Sequence, residues 1–126
     1  MDVSSHERLS RFLFFRRWFA REKSRVKPDA FIPHPYIELS VACTEGLEEN
    51  TIWEIGNATA AARSDAPPLL GRADLLARDV FEQDLTLDRN DNPQYHANIL
   101  GWSAGGKEAQ RMQAVELAAK SSLHLV

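Results

Sequence analysis

Tyr36-Ile37-Glu38-Leu39-Ser40-Val41-Ala42-Cys43 alternates with the period of a strand. Ile37, Leu39 and Val41 fall on one face, while Glu38, Ser40 and Ala42 fall on the other. Immediately downstream, Leu47 to Ile55 has helical spacing: Ile52 and Ile55 share a face with Glu48, and Gly56-Asn57 supplies a stop. Upstream, Lys27-Pro28 and Pro33-His34-Pro35 force extended or turn geometry. Proline fixes its own φ and drives the preceding residue out of the helical region.

The same reading extends along the chain. Leu69 to Leu75 predicts a second strand, and Leu76 to Gln83 a helix or turn with Leu76 and Val80 inward. Leu85 and Leu87 flank a third strand, ended by the turn formers Asp88 to Pro93. Tyr95 to Leu100 predicts a fourth. Lys107 to Ser122 predicts a helix with Met112, Val115 and Ala119 on its apolar stripe. The segment from Ser4 to Arg25 fits either period. Ser4 and Glu7 suit a capping box ahead of helically spaced Leu9, Phe12, Leu13, Phe15 and Phe19, whereas Arg8 to Phe15 has the aromatic content of a strand followed by a basic loop. The expectation is one α+β domain over residues 1–126, a mainly antiparallel sheet of about four strands against two or three helices, including a C-terminal helix.

A chain of 126 residues buries roughly two-thirds of its unfolded surface in one core. Its single cysteine, Cys43, cannot form an internal disulfide and lies in an apolar run, which points to a reducing, cytoplasmic setting. Apolar stretches fall far short of the roughly 20 residues that span a bilayer, so no membrane partner is expected. In such a setting the sequon Asn57-Ala58-Thr59 has no glycosylation role. Charge is unevenly spread: residues 1–27 carry eight bases against three acids, a balance of +5, leaving −8 on the rest to reach the total of −3. One end is suited to an anion that the remainder repels.

Two motifs come close to known ligand loops and then fail. Gly101 to Lys107 fits the phosphate-loop pattern G-x-x-x-x-G-K, but Glu108 stands where a hydroxyl should hold magnesium, so a glycine-rich entry to the last helix is the better reading. Asp88-x-Asn90-x-Asn92 resembles the opening of a calcium loop, but Pro93 replaces the glycine and Ile99 the closing glutamate. His6, His34, His96 and His124 lack metal-ligand spacing, so no metal and no cofactor is expected.

Strand alternation puts Arg72 beside Asp74 and His96 beside Asn98. In a ligand site, Arg72 would clamp a phosphate or carboxylate, His96 would move a proton and Asn98 would orient a carbonyl. The plainer reading pairs Arg72 with Asp74 and leaves His96 and Asn98 on a solvated face. Ser40, on the polar side of its strand, is the candidate nucleophile, with no Ser-His-Asp order along the chain to support it. The segment Arg8 to Phe19 combines bases with aromatics, which suits phosphates and unpaired bases, an acidic protein or a second copy of the chain, with Arg11, Arg16, Arg17 and Trp18 as contact residues. Buried aromatics with their arginines solvated at the rim are the structural alternative.

With the strings Val26-Lys27-Pro28-Asp29-Ala30-Phe31, Leu39-Ser40-Val41, Ile52-Trp53, Gly71-Arg72-Ala73-Asp74 and His96-Ala97-Asn98-Ile99, most of the chain resembles a set of uncharacterised small bacterial proteins. That resemblance implies a shared domain and carries no activity. Two functions stand as expectations. One is an interaction module whose basic, aromatic N-terminal region meets an acidic partner or nucleic acid. The other is an enzyme or ligand-binding domain holding a phosphate-bearing small molecule with Lys27, Arg72, His96 and Asn98.

Overall fold

A computed structural model describes residues 2–126. Strands β1 (Arg8–Leu13), β4 (Leu39–Cys43), β5 (Gly71–Leu76), β6 (Thr86–Arg89), β7 (His96–Leu100) and β8 (Ser122–Leu125) form one sheet in the order β6-β7-β4-β1-β5-β8. Every pairing in it is antiparallel. A ribbon of β2 (Phe19–Ala20) and β3 (Arg25–Val26) stands apart, and the helices are α1 (Glu49–Ala62), α2 (Ala77–Phe81) and α3 (Lys107–Lys120). The α+β class is as expected, but the sheet has six strands rather than about four. The additions are β1, which the sequence left open between strand and helix, and β8, which follows α3.

Register explains how the core divides. Ser10 pairs with Asp74 and Ala42, Phe12 with Arg72, and Ala42 with His96, so these side chains share one face, together with Ser40 and Asn98. Leu9, Leu13, Val41, Ala73, Leu75, Ala97 and Ile99 form the other, and all seven are buried. Helix α1 covers the first face. It lies so close that a Cβ on Gly56 would fall 2.7 Å from the Phe12 ring and 2.9 Å from Leu69. The Pro28–Phe31 turn lies on the second face, where Ala30 accepts a hydrogen bond from Arg11, and α3 packs on that turn.

Gly56-Asn57 therefore does not stop α1. Gly56 sits inside the helix because only hydrogen fits against Phe12, and the helix ends at Arg63 instead. Gly56→Ala is expected to destabilise the domain by up to about 2 kcal/mol, since overpacking costs about 1–3 kcal/mol and the gain in helix propensity returns about 1 kcal/mol. Urea denaturation checks this, and an alanine variant more stable than the parent would contradict the close approach.

The stripe of α3 also differs from expectation. Met112 is 80% exposed and Val115 and Ala119 face solvent, whereas Gln110, Ala114, Leu117 and Ala118 are buried. Gln110 belongs inside because its carboxamide is satisfied there: Oε1 accepts from His34 N at 2.9 Å, and Nε2 donates to Tyr36 O at 3.2 Å and Ser103 O at 3.0 Å. β4 starts at Leu39, leaving Tyr36 and Ile37 exposed beyond its end.

Candidate functional site

The sheet is split at its centre. β1 follows β5 over six register pairs and β4 follows β7 over four, but β1 and β4 share only Leu9↔Cys43 and Ser10↔Ala42. Beyond Ser10 the guanidinium of Arg11 takes the place of the missing ladder. Its Nε donates to Ala30 O at 2.9 Å and its Nη1 to Ser40 O at 3.0 Å, with the group 5.0 Å from the centroid of the Trp18 ring. Between the split, α1 and the β6–β7 turn lies a cavity of about 540 Å³. Its apolar wall comes from Phe12, Phe14, Val41 and Ala42, from Ile55, Ala58 and Ala62 of α1, and from Pro93 and Tyr95. Ser40, His96, Arg11 and Arg63 supply polar and charged groups.

Arg63 caps the C-terminal end of α1, where the helix dipole favours a cation. Its guanidinium lies 4.7 Å from the Phe14 ring, and Nε is buried without a hydrogen-bond partner, the nearest carboxylate being Asp65 at 3.9 Å. Burial, and then the charge of Arg63, lowers the Arg11 pKa to about 10. Two cations thus border a mostly apolar recess, Arg63 with its Nε buried and its side chain 38% exposed.

On the sheet side, the Ser40 hydroxyl lies 2.9 Å from His96 Nε2, and His96 Nδ1 lies 2.8 Å from Asn90 Oδ1. Ser40 and His96 meet diagonally across β4 and β7, while Asn90 stands in the turn between β6 and β7. Burial pulls the His96 pKa below its ordinary 6.5, against the opposing charges of Asp88 and Glu38. The unfolded chain therefore takes up this proton first, and stability should fall as pH drops through and below 6.5. His96→Gln is expected to flatten that decline. Urea midpoints between pH 7.5 and 5.5 test this, and parallel slopes for the two chains would contradict it.

The four residues named from sequence as ligand contacts do not share the cavity. His96 lines it. Asn98 lies one step along the same sheet face and borders a shallow groove with Ser40, Tyr36 and Glu38. Arg72 is fully buried under α1, with its Nε 3.1 Å from both Asp74 oxygens and its Nη atoms 3.0 and 2.8 Å from the Glu49 carboxylate. Burial alone would lower its pKa, but Glu49 and Asp74 outweigh that and hold it above the ordinary value. Its guanidinium lies 4.7 Å from the Trp53 ring, while Lys27 is exposed.

Of the residues named as partner contacts, Arg16 and Arg17 are exposed, Trp18 is 8% exposed in the core, and Arg11 is drawn into the cavity wall. Sequence reasoning missed Arg63, for which no local pattern exists, and weighed Asn90 only as a turn former or a calcium-loop oxygen, not as a partner of His96. Cys43 is buried, and burial pushes its thiol up to about 11. Among the described residues no group of three or more His, Cys, Asp or Glu could hold a metal ion, and no helix is long and apolar enough to cross a membrane.

No protein-family model matches the chain, and neither a curated protein nor a solved structure is significantly similar to it.

Proposed function

We propose that the domain binds a small ligand with an apolar body and a carboxylate or phosphate head, the body lying between α1 and the sheet and the head between Arg11 and Arg63. The observation that carries this reading is the buried Arg63 Nε with no hydrogen-bond partner, beside a second guanidinium in a recess whose walls are mostly apolar. A buried donor left unpaired costs about 1–3 kcal/mol, and an anion there would recover it. The cavity falls within the roughly 300–1,000 Å³ range of small-molecule sites.

Calorimetric titration with octanoate and octyl phosphate tests the reading. Saturable one-to-one binding is expected, with Arg63→Gln weakening it about tenfold or more, the equivalent of one charge-assisted hydrogen bond of about 1.5 kcal/mol. Heats that do not saturate, or equal affinity for the variant, would remove the proposal.

A second reading is favoured by the exposed bases Arg16, Arg17, Arg21, Lys23, Arg25 and Lys27 around the β2–β3 ribbon. With Phe14, Trp18 and Phe19 buried, this surface would meet an acidic protein or nucleic acid by charge rather than by stacking. Mobility shift with single-stranded DNA and RNA over a salt series tests its nucleic-acid form. The affinity should fall steeply with salt and be indifferent to base sequence; absence of any shift at low salt would count against it.

A further inference from the structure

The polar wall of the cavity holds the Ser40 hydroxyl and the His96 imidazole, and the Asn90 carboxamide, outside the lining, stands behind the imidazole in series with them. Asn90 Oδ1 accepts the backbone N–H of Asn92 at 2.9 Å, and a backbone N–H can only donate. That bond fixes which end of the carboxamide faces His96, so an acceptor confronts Nδ1 at 2.8 Å. Nδ1 must therefore carry the ring proton, and the lone pair of Nε2 points at the Ser40 hydroxyl 2.9 Å away. A plain polar pair on a sheet face needs neither a third group nor a fixed tautomer. Here both are present, and the hydroxyl borders a mostly apolar recess with two cations.

We propose that Ser40 is the nucleophile of an acyl-transfer site for esters of small apolar carboxylic acids, with His96 as general base and Asn90 positioning the imidazole. This rests on the binding reading above and names its substrate class. In the acylation step, Ser40 Oγ forms a bond to the ester carbonyl carbon as its proton passes to His96 Nε2. The carbon–oxygen bond to the alcohol then breaks, and His96 returns the proton to the departing alkoxide. Water then bonds to the acyl carbon as its proton passes to the same nitrogen, the bond from that carbon to Ser40 Oγ breaks, and His96 returns the proton to Oγ. The acid leaves as its carboxylate after losing its own proton to solvent. Arg11, whose Nη1 donates to the Ser40 carbonyl oxygen, keeps positive charge beside the residue at which the oxyanion forms. The ring stays neutral near pH 7 because burial lowers its pKa, which leaves it free to accept the proton.

The test is covalent labelling of the full chain by an alkyl fluorophosphonate, in which Ser40 displaces fluoride, alongside hydrolysis of p-nitrophenyl butyrate. A single adduct mapped to Ser40 is expected, with no labelling of Ser40→Ala and labelling of His96→Gln slowed about 100-fold or more. For Asn90→Ala, slower labelling should be accompanied by imidazole ¹⁵N shifts that report mixed tautomers, and Asn90→Asp should restore the single tautomer and the rate. An unlabelled parent chain, an adduct on another residue, or unchanged ester turnover in Ser40→Ala would overturn the assignment. Octanoate titration of Ser40→Ala separates the two ideas: retained binding with an unlabelled parent sinks only the chemistry, whereas absent binding in parent and variant sinks the binding reading itself.

Discussion

Asp74→Ala is expected to lose about 3–5 kcal/mol of folding stability, a large share of the roughly 5–15 kcal/mol that a domain possesses. Asp74 accepts the Ser10 hydroxyl at 2.6 Å and Arg72 Nε at 3.1 Å on both oxygens, and it faces His124 Nε2 at 3.5 Å. Without it, a fully buried guanidinium is left with Glu49, whose side chain is 63% exposed and whose attraction water screens. The cost lies in the stranded charge more than in the lost contact. It follows that Arg72→Met combined with Asp74→Leu should be less damaging than Asp74→Ala alone, because removing both charges removes the desolvation problem. Urea unfolding followed by circular dichroism measures all three chains. An Asp74→Ala variant within about 1 kcal/mol of the parent would mean that water reaches Arg72.

Phe31→Ala is expected to cost a further class of stability, about 3–5 kcal/mol, through a cavity on the opposite face of the sheet. Phe31 is fully buried in the turn on which α3 packs. The same turn supplies Ala30 O, the acceptor that holds Arg11 Nε. The variant should therefore also weaken octanoate binding by loosening Arg11, even though Phe31 does not line the cavity. Phe31→Leu, which keeps most of the volume, should lose much less of both. Equal losses from the two variants would show that the turn's position depends on the ring itself and not on filled space.

The sequence was readable where burial is one-sided. β4 and β7 alternate because their polar face is partly open, and Asn90 to Pro93 mark the reversal into β7, although Asp88 and Arg89, expected in that turn, pair with Asn98 and Ala97 inside β6. β1 was ambiguous for a physical reason: Leu9 and Leu13 are buried on one face while Ser10 and Phe12 are buried beneath α1, so its apolar residues follow no period of two. β8 is four residues long and begins only one residue after α3, too short to stand out from a helix end. In α3, apolar spacing chose Met112 and Val115, but the packed stripe is made of small residues and one satisfied glutamine. The site was harder still. Ser40 and His96 are 56 positions apart, and nothing but the β4–β7 register brings them within hydrogen-bond reach. Arg11 counted as part of a basic segment until the gap between β1 and β4 drew it inward, and Arg63 joined it from the end of a helix that ran past its expected stop.

The claim on which the rest depends is that Arg11 and Arg63 hold an anion inside the split sheet. Nuclear magnetic resonance titration with octanoate, observing arginine Nε–H and backbone amide signals, tests it most directly. The account predicts saturable shifts at Arg11 Nε and Arg63 Nε, with matching changes at Ala42, Ile55 and His96 and none at Arg16, Arg17 or Lys27. Shifts confined to those exposed bases and abolished by moderate salt, with the two cavity arginines silent, would contradict it.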